Sequence, residues 1–267
     1  MIIRNRMMAA ALFAATLQTA AMGQATSAES EQIISRVKTW AEEYTNRLQD
    51  FLCTQNMTRY KGKSGPSPGW ERLENQQLKV SYKDKKVGYR RLSVDGRTDG
   101  MDQRVKKGYL IPGGEFGAIS WPFFPKGAAE FALDHRDVAG DRTVCVLSYS
   151  VPSGRTNMVM SVNGARVSLA YHGVIEAVCD TGEIHRLEIV SDIGRGPGRV
   201  NSTRLINVGM ELDIRYAPYS IAGVSYLLPS HAVLKGLFHT TLTRADIDFD
   251  NYRKYEVNSN IRFDDVR

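Results

Sequence analysis

The hydrophobic period of this chain changes only once. Over residues 31–52 apolar side chains recur every three or four positions; beyond Cys53 they recur every second position, and no helical stretch of comparable length returns. A spacing of three and four marks one face of an α-helix, and a spacing of two marks one face of a strand. A chain of this kind is one rod followed by a succession of strands. Parallel strands need crossover connections of a dozen or more residues, usually helical, and the connections here are short, so the expected sheet is antiparallel.

The rod is EQIISRVKTWAEEYTNRLQDFL. Ile33, Ile34, Val37, Trp40, Ala41, Tyr44, Leu48, Phe51 and Leu52 form its apolar stripe, and Ser30 is the expected N-cap. The stripe is wide enough to need burial against something large, namely the sheet. Expected strands follow at residues 77–94 (a hairpin about Lys83, Asp84 and Lys85), 131–138, 143–151, 157–162, 166–171, 174–179, 183–190, 204–216, 224–228, 233–244 and 252–263. The clearest is 204–216. Ile206, Val208, Met210, Leu212, Ile214 and Tyr216 alternate with mostly polar residues, which predicts one buried and one wet face, and Pro218 is expected to end it. The run GGEFGAISWPFF at 113–124 breaks the pattern and reads as a short helical insert or lid, with Trp121, Phe123 and Phe124 at its end. Residues 194–199, rich in glycine, read as a flexible connection. The predicted class is mainly β (α+β): a single strongly curved antiparallel sheet, a half-barrel, packed on the N-terminal helix as one domain over 26–267.

Residues 1–25 have a different purpose. Arg4 and Arg6 precede an apolar run and small residues that satisfy a cleavage rule at positions 21–25, the pattern of a secretory signal peptide. The apolar run falls short of the ~20 residues a membrane span requires. The expected location is therefore periplasmic or secreted. With Cys53 the first cysteine, lipid attachment at the cleavage point is not expected.

The formal charge of the whole chain is +6. Residues 59–107 hold 14 Lys/Arg against 6 Asp/Glu. A basic lobe outside the cytoplasm can face anionic lipid head groups or an acidic partner; equally, lysines guard sheet edges against pairing with other chains. Nucleic acid is excluded by the compartment. Of the three cysteines, Cys53, Cys145 and Cys179, the last two lie on strand-like segments and are the pair expected to form a disulfide; three buried thiols are the alternative.

The order of elements resembles the LolA/LolB- and RseB-type lipoprotein-carrier superfamily of bacterial envelopes. The residues that carry the resemblance are the helix at 33–52, the hairpin VCDTGEIHRL at 178–187 and the alternating strand at 206–216; YAPYSIAG at 216–223 and YLLP at 226–229 look like a pattern in exported proteins of soil bacteria. The resemblance implies a half-barrel whose apolar cavity shields acyl chains, with no cofactor. Greater length and the glycine-rich stretch at 194–198 depart from it.

Catalytic patterns are largely absent from the sequence: no H-E-x-x-H, no P-loop and no C-x-x-C. His135 with Asp137, and Asp246, Asp248 and Asp250 with Asn251, have the residue types of metal ligands but fit solvated strand faces better, so no metal is expected. The expected function is binding: a carrier that holds a lipid, acyl chain or lipidated protein between sheet and helix, lined by Trp40, Tyr44, Trp121, Phe123, Phe124 and the even positions of 206–216. An interaction or sensor module with a filled core is the alternative. A hydrolase built on Ser220, His231 or Cys53 is the third.

Overall fold

A computed structural model describes residues 27–63, 69–98, 116–123, 127–162, 164–197 and 205–255. The expected signal segment and Phe124 lie outside them. The elements in order are helix α1 (Ser27–Arg47), strands β1 (Phe51–Lys63), β2 (Glu71–Lys83) and β3 (Lys86–Val94), a 3₁₀ segment (Ala118–Phe123), and β4 (Glu130–Ala139) and β5 (Arg142–Val151). Then come β6 (Val159–Val162), β7 (Ala165–Ser168), β8 (Tyr171–Val178), β9 (Ile184–Ser191), β10 (Gly194–Pro197), β11 (Leu205–Ile221), β12 (Val224–Phe238) and β13 (Thr241–Lys254).

Eleven strands form one sheet in the order β3-β2-β1-β13-β12-β11-β9-β8-β5-β4, with β10 on the flank of β11, and β6 and β7 form a separate hairpin. Every pairing in the large sheet is antiparallel. The sheet is not closed: β3 and β4 are its two edges. The fold is mainly β, a curved antiparallel half-barrel on one N-terminal helix.

Helix α1 turns Ile33, Val37, Ala41 and Tyr44 inward, and each is buried. It starts at Ser27 rather than after Ser30, and it stops at Arg47 rather than Leu52. Its last main-chain bond runs from Leu48 N to Tyr44 O at 3.2 Å. Phe51 and Leu52 fit a helical stripe, but Phe51 also begins the alternation Phe51, Cys53, Gln55, Met57, Arg59, all buried on one face of β1. Strand pairing on both sides, with β13 and β2, outweighs one more helical turn. The close approach of α1 explains Gly182. Its φ is +75°, and a Cβ there would stand 2.5 Å from the carbonyl oxygen of Arg36.

Three other expectations needed correction. Pro218 does not end β11, which continues to Ile221. Beyond Arg215 the strand has lost its β9 neighbour and pairs only with β12, so the missing N–H of Pro218 deprives no ladder on that side. The expected strand 233–244 is two strands meeting at His239, whose φ is +59°, and Thr240. Residues 194–197, read as flexible, form β10 against β11. The hairpin at Asp84 and Lys85 stands where the sequence placed it, both residues at positive φ as its tight turn requires.

Candidate functional site

The concave face of the sheet is built from alternate residues in register. One row crosses Met57, Ile247, Ala232, Ile214, Leu187, Ile175 and Leu147, on seven successive strands, each at most 3% exposed. The next row runs Arg59, Ala245, Leu234, Leu212 and Ile189. Together they form an apolar trough, and α1 and the 3₁₀ segment lie in it, sharing its core.

Ile206, Val208, Leu212, Ile214 and Tyr216 are buried in this core, as is Tyr44; Met210, Trp40 and Trp121 are half-buried against it. The structure divides the aromatic residues into groups. Trp40 stacks on Tyr44 at 5.1 Å, and Tyr44 meets Tyr216 edge-on at 6.3 Å. Across the trough, Phe123 stacks on Phe131 at 5.4 Å, and Phe131, Tyr149 and Tyr171 continue the series. Tyr171 Oη donates to the carbonyl oxygen of Trp121 at 2.7 Å and lies 2.9 Å from the Asn157 side-chain amide oxygen, so β8 holds the 3₁₀ segment down. Burial pushes the Tyr171 hydroxyl up to about 12, and Tyr44, Tyr149 and Tyr252 well above the ordinary tyrosine range.

The floor has one polar corner, on β1 and β2. Arg59 Nη1 meets Glu74 Oε1 at 2.5 Å, and Gln76 Nε2 donates to the same oxygen at 2.5 Å. Gln55 is wholly buried, and neither end of its amide has a hydrogen-bond partner among the described residues; the same holds for Gln76 Oε1 and the Tyr44 hydroxyl. Buried polar atoms are nearly always satisfied, so the three orphaned amide atoms of Gln55 and Gln76 on one wall of the trough mark a place where another polar group is wanted. Gln55 and Arg59 were missed in the sequence because strand β1 was, and Glu74 and Gln76 because the expected strand began only at residue 77. The signal was present: the alternation that buries Phe51, Cys53 and Met57 places Gln55 and Arg59 in the same inward phase.

Two clefts open beside the trough. A cleft of about 180 Å³ lies between α1, the 3₁₀ segment and β4, lined by Lys38, Glu42, Pro122, Phe123, Gly127, Ala129 and Phe131. A groove of about 520 Å³ with Trp70, Ile193, Met210, Leu237 and Leu242 in its lining lies along β9, β11, β12 and β13.

Cys145 and Cys179 form a disulfide that ties β5 to the turn after β8, and Cys53 is a buried thiol outside it. His135 lies 3.4 Å from Asp137, and His231 Nδ1 lies 2.7 Å from Asp248. Among the described residues no group of three or more His, Cys, Asp or Glu side chains could hold a metal ion. Ser220 pairs with Ser225, six residues along β12 from His231, or about 20 Å of strand, so the two are not a nucleophile and base pair. Cys53 faces the core from β1. No described helix is long and apolar enough to cross a membrane.

No protein-family model matches the chain, and no curated protein does. Solved structures are similar at low identity. A LolA superfamily protein from Nitrosomonas europaea is 12% identical with a TM-score of 0.38, covering 88% of this chain and 98% of its own. A DUF1329 family protein from Desulfovibrio piger is 11% identical with a TM-score of 0.37, covering 86% and 95%. A domain assigned to outer membrane lipoprotein sorting, from Vibrio parahaemolyticus, is 10% identical with a TM-score of 0.37, covering 85% and 93%.

Proposed function

We propose that this chain, exported on its N-terminal signal segment, is a carrier of an amphiphile: a lipid or an acylated protein whose apolar chain lies in the trough and whose polar linkage reaches Gln55, Gln76 and Tyr44. The observation that supports this reading is the unsatisfied wall of Gln55 and Gln76 on a largely apolar floor. A purely structural core has no use for orphaned amides, each of which costs about 1–3 kcal/mol of desolvation. An ester or amide of an acyl chain would satisfy them. The carrier works by shielding: covering about 300 Å² of acyl surface is worth roughly 7 kcal/mol before ordering costs. In the conformation described, α1 and the 3₁₀ segment fill the trough, so loading requires one of them to move. The 3₁₀ segment is the shorter of the two and borders the 180 Å³ cleft.

Titration with a dansyl-labelled fatty acid tests the proposal. Saturable binding with a blue-shifted emission, weakened by Gln55→Leu, is the expected result. No saturable binding at any concentration below micelle formation would refute it. A second reading, an interaction module with a permanently filled core, draws support from the tight burial of the trough rows, and the same titration separates the two.

A further inference from the structure

On the face of the sheet away from α1 several charges along its centre are paired, whereas, among the described residues, Lys79 and Arg90 at one flank are not. On β8 to β13, Arg186 is bound by Asp213 at 2.6 Å and Glu176 at 2.7 Å, Arg244 by Asp246 at 2.6 Å, and Lys235 by Glu211. On the β1–β3 flank the pattern changes. Lys79 and Arg90 stand directly opposite each other across β2 and β3, and neither has an ion-pair partner among the described residues. Like charges in such a position repel at close range. One row away, Arg253 is the partner of Leu52, turned to this face by a bulge at Asn251, whose φ is +54°. It too has no carboxylate partner among the described residues. Asp250, on the same strand, is taken by the amides of Asn56 at 3.2 Å and Asn251 at 2.7 Å.

These cations border two adjoining grooves. The first, about 340 Å³, is lined by Leu52, Lys79, Ser81, Gly88, Arg90 and two tyrosines, Tyr89 and Tyr255. The second, about 380 Å³, shares Leu52 and Lys79 and adds Arg253. Gly88 keeps the first open: a Cβ there would stand 2.7 Å from Ser81 Oγ. Two facing cations, a third beside them, a hydroxyl and Tyr255 are the chemistry of a phosphate site at a lipid–water boundary.

We infer that the Lys79, Arg90 and Arg253 grooves bind the phosphate of an anionic phospholipid headgroup and dock this flank on a membrane surface. The inference goes beyond the carrier reading and does not depend on what the trough holds. The test is co-sedimentation of the full mature chain with phosphatidylcholine vesicles with and without about 30% phosphatidylglycerol. Binding to the anionic vesicles alone, falling between about 50 and 300 mM salt, is expected. Each charge near such a surface contributes about five-fold, so Lys79→Ala/Arg90→Ala should bind about 25-fold more weakly. Arg142→Ala/Arg155→Ala, with the same net charge but at the other end of the sheet, should bind as the wild type does. The single Arg90→Gln, on exposed edge strand β3, gives the same direction should the double variant fail to fold. Equal losses in the two double variants, or equal binding to neutral vesicles, would overturn the inference. So would calorimetric binding of inorganic phosphate without any binding to vesicles, since the site would then serve a free anion.

Discussion

The hydroxyl of Tyr171, on the floor of the sheet, donates to the main-chain carbonyl of Trp121, fifty residues earlier, at 2.7 Å. This bond fastens the 3₁₀ segment into the trough from below, at a point where Tyr171 itself is only 1% exposed. It is a fastening that can open without unfolding a strand, since the segment belongs to none of them.

Removing that hydroxyl should loosen the segment selectively. Tyr171→Phe is expected to cost about 1 kcal/mol of global stability, the net worth of one hydrogen bond. Amide exchange over Ala118–Phe123 should accelerate far more than in β8, measured by mass spectrometry. Equal acceleration in both would mean the segment is not a separate unit.

Gln55 should show opposed effects on stability and binding. Gln55→Leu removes two orphaned polar atoms from a wholly buried site, so the expected gain is about 1 kcal/mol or more in denaturant unfolding. The same change should weaken binding of the dansyl fatty acid. A stabilised variant with unchanged binding would make the amide a leftover of packing.

Alkaline pH should destabilise the fold. Tyr44, Tyr149, Tyr171 and Tyr252 hold their protons more tightly when folded than when unfolded, chiefly because burial disfavours the phenolate. Their contribution is fully present below about pH 10 and is lost as pH rises through the folded values, with Tyr171 reached near 12. Tyrosinate absorbance should therefore rise in two stages, exposed tyrosines first and these four only as the protein unfolds.

The disulfide should be worth about 3–4 kcal/mol, because it closes a span of 34 residues. Cys145→Ser/Cys179→Ser should lower the denaturation midpoint accordingly. In the wild type a thiol reagent should find no reactive group in the native protein and one, Cys53, after unfolding without reductant.

The elements whose pattern is set locally were legible in the sequence. The even-numbered residues of 206–216 announce their face by themselves, and Asp84 with Lys85 announces a turn. What escaped depended on neighbours distant in the chain. Phe51 and Leu52 satisfy both periods, and only pairing with β13, some 200 residues later, decides for the strand. Pro218 ends a strand in the middle of a sheet but not on a flank with one partner, and the sequence does not say which strands neighbour it. The polar corner was hidden for the same reason: a glutamine such as Gln55 reads as surface until the apolar residues of both adjoining strands are known to share its face.

The central claim is that the trough accepts an apolar chain in place of its own helix or 3₁₀ segment. Native mass spectrometry of the protein, purified without detergent from the cells that express it, tests it most directly. The account predicts a population carrying one lipid-sized mass adduct, shed on mild activation and restored by added lipid. A single bare mass, unchanged after incubation with lipid, would contradict it.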